Sequence, residues 1–154
     1  MSGAFRSSVW DPPLIVSQIL CMQASYYVFL GTWIITLDLI LHSDLSLGQI
    51  YNFDSFQLKY GISVLCAYIL NAITGALSLW YIVKRTKQCL DFTLTVHLFH
   101  FITCCIYNGR VPTSVSWWVT NTVVIVIMTV LGEFLCMKTE MKEIPLGTSS
   151  KVDL

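Results

Sequence analysis

The chain has 154 residues, 55% of them hydrophobic and 12% charged, with a formal net charge of zero at pH 7. Soluble domains carry about 25% charged residues, so half the usual charge would have to coat a small surface, and water is excluded as the main solvent. The even balance also excludes a nucleic-acid binder, which needs a basic face.

Charge-free windows mark the elements in chain order. An arm carrying Arg6 and Trp10 leads to the first window, Pro12 to Leu37, which predicts a transmembrane helix over 12–39. Pro12 and Pro13 suit its first turn, where a missing amide hydrogen costs nothing. Only Arg6 precedes it and no small-residue cleavage site follows a short apolar core, so this span is expected to be retained rather than removed as a signal peptide. The loop over 38–59 is acidic, with Asp38, Asp44 and Asp54, and ends at Lys59. Tyr60 to Val83 predicts the second span, 60–83, and the basic loop with Lys84, Arg85 and Lys87 follows. Phe92 to Gly109 predicts the third, 92–108. Its 18 residues reach only about 27 Å at about 1.5 Å each, which suits a thinner bilayer. A turn with Arg110 precedes the window Val111 to Gly132 and a fourth span over 113–137. The tail, 138–154, begins as a helix, with Lys138 and Lys142, and Glu140 and Glu143, at helical spacings, until Pro145 ends it.

The fold class expected is all-α: one polytopic membrane domain of four transmembrane helices in a compact bundle. A soluble four-helix bundle needs a polar face on each helix, and "VVIVIMTVL" (123–131) is apolar all round. None of the windows alternates apolar with polar residues as a membrane β-barrel would. Trp10, Trp33, Trp80, Tyr81, Tyr107, Trp117 and Trp118 fall near window ends, where amphipathic rings favour the headgroup level. Cys21, Cys66, Cys104, Cys105 and Cys136 lie in or at the ends of apolar runs and only Cys89 in a short polar loop, a distribution unlike a disulfide framework.

Cation placement sets orientation. Arg6, Lys84, Arg85, Lys87, Lys138, Lys142 and Lys151 fall on one side and Lys59 and Arg110 on the other, so both termini are expected in the cytosol. No Asn-x-Ser/Thr sequon is present to mark the opposite side.

Gln18, Gln23, Asn71, His97, His100 and Asn121 lie at membrane depth and must face protein or water. Interhelical packing is the first expectation, supported by two rows of small residues, Ser17/Cys21/Ser25 and Ala67/Asn71/Gly75. Gln18, Gln23 and Asn71 are also candidates to line a groove between helices. His97, His100 and Cys104 share one helix face, and His and Cys bind metals. The alternative reading is therefore a small transporter or a metal-using membrane protein built on that face. Against it, the sequence holds no H-E-x-x-H, no second His pair, no nucleophile motif and no evident internal repeat. No enzyme activity, cofactor or resident metal is expected.

The stretches "FRSSVWDPPLIVSQI", "KQCLDFT" followed by "VHLFHF", and "GEFLCMKTEMKEIPL" together resemble the Sys family of small Golgi integral membrane proteins, from about Gly3 to Leu146. The resemblance implies a place in the trans-Golgi membrane and a role in vesicle and protein traffic. It implies a membrane receptor that recruits an Arf-related small GTPase, docked through an acetylated N-terminus, and through it a further Arf-like GTPase and golgin tethers. It supplies no catalytic residues. The surfaces available to such a partner are the cytosolic pieces: Arg6, the loop with Lys84, Arg85, Lys87 and Asp91, and the segment with Lys138, Glu140, Lys142 and Glu143. A basic patch there would also attract the lipid bilayer's anionic headgroups. Oligomeric state stays open.

Overall fold

The computed structural model describes residues 11–56 and 61–143; the expectations placed on Arg6, Trp10, Lys59, Pro145 and Lys151 lie outside them. Helix α1 (Pro12–Ile40) begins on its paired prolines, with Asp11 as N-cap residue. Two 3₁₀ turns follow, Leu47–Ile50 and Phe53–Phe56. Helix α2 (Gly61–Ser78) runs into a wide π-type turn, Leu79–Val83, closed by Lys84 N–H donating to Leu79 O at 3.1 Å. Lys84 has a φ of +59°, a left-handed conformation that stops the helix. A short 3₁₀ turn, Thr86–Gln88, leads into α3 (Cys89–Asn108). That helix stops at Gly109, whose φ of +64° is a left-handed cap that glycine adopts without strain. Helix α4 (Val115–Glu143) completes the described chain.

Four stretches are long and apolar enough to cross a membrane: Pro12–Ile40, Gly61–Val83, Thr86–Asn108 and Val115–Glu143. The surface matches. Ile62 and Ile106 are each 77% exposed and many other large apolar side chains point outward, as they must where lipid is the solvent. The protein is an all-α polytopic membrane protein, its four helices packed into one bundle.

The third helix is longer than its charge-free window. Asp91 closed that window, but it sits in the first turn of α3, where the helix N-terminus favours an acid. With 20 residues α3 is about 30 Å long, so the case for a thin bilayer falls away.

Helix α2 is the central element, with nine of its 18 residues buried, including Val64, Ala67, Tyr68, Asn71, Gly75 and Ala76. The row Ala67/Asn71/Gly75 does let a neighbour approach. A Cβ on Gly75 would lie 2.9 Å from Met128 Sδ, and one on Gly132 would lie 2.7 Å from Leu79 Cδ1. Helix α4 thus packs closely on α2 and on the wide turn that extends it: Gly75 of α2 receives Met128, and Gly132 of α4 receives Leu79. The row Ser17/Cys21/Ser25 does not serve this purpose. Ser17 and Cys21 are exposed, and α1 packs through Met22, Tyr26, Leu30, Ile34 and Asp38 instead.

Three further expectations are corrected. Asp38 is not a loop acid: it lies in the last turn of α1 at 1% exposure, and its carboxylate accepts from Gln49 Nε2 at 3.2 Å and Ser43 Oγ at 3.4 Å. Trp117 is not an interfacial ring but a core one, 3% exposed against Phe53 and Phe101, while Trp118, Tyr107, Trp80 and Tyr81 do face outward. Cys89 is not in a loop. It is buried at the start of α3 with its sulfur 3.6 Å from that of Cys136, and all six cysteines are free thiols.

Candidate functional site

The basic loop and the end of α4 meet at one end of the bundle. Thr86 donates twice to the Glu140 carboxylate, from its backbone N–H at 3.2 Å and from its hydroxyl at 2.8 Å. Trp80 Nε1 donates to Thr139 Oγ1 at 2.7 Å, and Gln18 Nε2 to Ile82 O at 3.0 Å, tying α4 and α1 to the wide turn. Glu140 is therefore an internal fastener rather than a free surface charge. Around that fastener Lys84, Arg85, Lys87, Asp91, Lys138, Lys142 and Glu143 are all exposed. Among the described residues none of these cations forms an ion pair, and Lys84 Nζ lies over the Tyr81 ring at 5.7 Å. At the opposite end the charges are tied up: Arg110 Nη2 bonds both oxygens of Asp54, at 3.0 and 3.2 Å.

His100 points into the bundle. Tyr68 Oη lies 2.9 Å from Ile50 O and 3.1 Å from His100 Nε2. A carbonyl only accepts, so the single hydroxyl proton of Tyr68 goes to Ile50 and the imidazole must donate from Nε2. Its Nδ1 is then an acceptor, which Tyr27 Oη meets at 3.4 Å. The result is a directed chain, Tyr27 to His100 to Tyr68 to Ile50, joining α1, α3, α2 and the first loop through one neutral ring. Cys104 Sγ sits 3.5 Å from Nε2, and Tyr26 and Tyr51 crowd the ring edges. Both nitrogens of His100 are engaged, and among the described residues no three His, Cys, Asp or Glu side chains converge on a point that a metal ion would occupy. His100 and Cys104 are spent on packing and hydrogen bonding inside the bundle, whereas His97 bonds Thr93 O and borders the α3–α4 opening.

The remaining polar side chains divide between core and periphery. Asn71 is fully buried, with Oδ1 3.5 Å from Thr74 Oγ1, so it lines no groove open to lipid; Gln18 is spent on Ile82 and Gln23 is half-buried. A lateral opening among the described residues lies elsewhere, between α3 and α4, and His97 and Asn121 are among the residues that line it. Spacing alone placed both residues at membrane depth. Nothing in it told which side of the helix was covered.

Comparison with known proteins gives a consistent result. A family model described as "Integral membrane protein S linking to the trans Golgi network" (SYS1) matches residues 5–146. A Protein SYS1 homolog of Nematostella vectensis is 45% identical over 152 residues, covering 97% of this chain and 96% of that protein. A homolog of Dictyostelium discoideum is 38% identical, covering 97% of this chain and 65% of that protein. Protein SYS1 of Saccharomyces cerevisiae is 25% identical, covering 92% and 71%. No solved structure matches the chain. With four membrane-length helices and a match over nearly its whole length, the chain belongs to the SYS1 family of integral membrane proteins linked to the trans-Golgi network.

Proposed function

We propose that this protein is a non-catalytic membrane receptor in vesicle and protein traffic at the trans-Golgi, holding an Arf-related small GTPase, and through it golgin tethers, at the cytosolic surface. Both termini and the 84–91 loop face the cytosol in this reading. One observation carries it: the loop and the end of α4 are fastened by Thr86 and Glu140 into a single surface whose five cations, Lys84, Arg85, Lys87, Lys138 and Lys142, are left without acidic partners among the described residues. Orientation alone needs positive charge somewhere on this side; it does not need the charges to be clustered and unpaired. Lys84 adds to this. It stands at a left-handed position where a side chain costs about 1 kcal/mol relative to glycine, a cost that persists at functional surfaces.

The test is binding in detergent, where orientation across a bilayer plays no part. The purified full chain is titrated with an N-terminally acetylated Arf-related GTPase. Changing Lys84, Arg85 and Lys87 together to Gln should weaken binding about tenfold, as expected for a few exposed charge pairs, and raised salt should do the same to the parent chain. Unchanged affinity in the triple variant would sink the proposal. A second variant separates charge from fold: Lys84→Gly should raise stability by about 1 kcal/mol while lowering affinity.

A further inference from the structure

Between α3 and α4 the bundle opens sideways into a groove of about 460 Å³. Leu98, Phe101, Trp117 and Trp118 supply its apolar wall, and its lining begins at Leu94, more than a turn inside the start of α3. It is therefore separate from the basic end. Two buried polar side chains border it. Asn121 is 7% exposed and gives its Nδ2 to Trp117 O at 2.9 Å. His97 is 6% exposed, with Nδ1 2.9 Å from Thr93 O. Because the carbonyl accepts, Nδ1 carries the proton and Nε2 is a bare acceptor. That Nε2 is buried and has no hydrogen-bond partner among the described residues, a state that native structures avoid unless something else supplies the donor.

Depth restricts the source of that donor. His97 stands eight residues from the start of α3 and eleven from its end, about 12 Å and about 16 Å along the axis. It lies near the centre of a hydrocarbon layer about 30 Å thick. Lipids keep their hydroxyl, amide and amine groups at the surface, and acyl chains carry no donor. A second copy with its twofold axis at His97 would set acceptor against acceptor, and a homodimer in any other register is an outcome that the test below separates. Of the nearby hydroxyls, Thr95 donates to Asp91 O at 2.7 Å and Thr122 to Trp118 O at 2.9 Å, while Tyr26, its ring edge-on to His97 at 5.4 Å, has a buried hydroxyl that makes no hydrogen bond to Nε2. A helix of another protein can bring a donor to this depth, because its backbone is satisfied internally while a Ser, Thr, Asn or Gln side chain reaches sideways. We propose that the α3–α4 groove docks one transmembrane helix of a partner protein, packed against Phe101, Trp117 and Trp118 and bonded through one polar side chain to His97 Nε2.

The full-length protein carrying a benzophenone photocrosslinker at Leu98, or at Val28 on α1 as control, is irradiated in native membranes. Leu98 should give a discrete protein adduct that Val28 does not, and the crosslinked peptide should lie in a membrane-spanning stretch with a polar residue. His97→Leu should lower the yield about fivefold, the factor that one interhelical hydrogen bond is worth, while His97→Gln, which keeps an acceptor, should preserve most of it. The melting midpoint of the purified His97→Leu chain should hold or rise. Lipid adducts alone, a homodimeric adduct, or a yield indifferent to His97→Leu overturns the proposal. A lowered midpoint overturns it as well, because Nε2 would then be satisfied within the chain.

Discussion

His100→Ala should destabilise the purified chain by about 3 kcal/mol, measured by denaturant titration in detergent with tryptophan fluorescence as readout. Two losses add up. The Tyr27 hydroxyl loses the Nδ1 it donates to, and Tyr68 loses the donor on its oxygen, leaving polar groups exposed to an apolar interior. The ring also leaves a hole among Tyr26, Tyr51 and Tyr68. Tyr68→Phe should cost less, about 1 kcal/mol, because interhelical hydrogen bonds in membranes are individually modest. The double variant should cost clearly less than the sum of the two, since both break one chain. Stability of His100→Ala within about 0.5 kcal/mol of the parent, or strict additivity of the pair, would remove His100 from its place as the tie between α1, α2, α3 and the loop.

The second large effect lies at the α2–α4 crossing. Gly132→Leu should abolish the folded bundle, seen as loss of a monodisperse species in detergent. Even a Cβ at Gly132 would meet Leu79 Cδ1 at 2.7 Å and Leu79 Cβ at 3.4 Å. The first contact can be relieved by swinging the Leu79 side chain. The second is already at van der Waals contact on an atom fixed to the backbone, so the further carbons of a leucine side chain add to the first clash. Overpacking costs typically about 1–3 kcal/mol for a few added methylenes, and four carbons placed here exceed that. Leu79→Ala in the same chain should restore part of the folded yield. Gly75→Ala should be milder than Gly132→Ala, because Gly75 faces the flexible end of Met128, its Sδ and Cε at 2.9 and 3.0 Å. Equal tolerance of Leu at 132 and at an exposed position such as 130 would show that the two helices do not cross there.

These cases mark what the residues alone disclose. The four helices were legible because charge is so costly in hydrocarbon that its absence delimits each one; the misjudged start of α3 came from Asp91, an acid that a helix N-terminus accommodates. Small residues were a poorer guide. Ala67, Asn71 and Gly75 are at an interface and Ser17 and Cys21 are not, because smallness permits close approach without compelling it. The role of His100 was hidden for a different reason. Its chain ends on a backbone carbonyl at Ile50, and a carbonyl belongs to every residue type. The basic end was visible as charge, but Glu140 looked like one more surface ion until Thr86 was seen to hold it.

The wide turn at Leu79–Val83 carries one residue more than regular helical winding would use. Each residue advances a helix by about 100°, so this surplus sets the compass bearing at which the chain leaves α2. Deleting one residue between 79 and 83 should let the segment rewind as ordinary helix and swing the exit by roughly a quarter turn. Thr86 would then face away from α4. The angular phase of the whole basic end is thus stored in a single supernumerary peptide unit at the close of the second membrane-length helix.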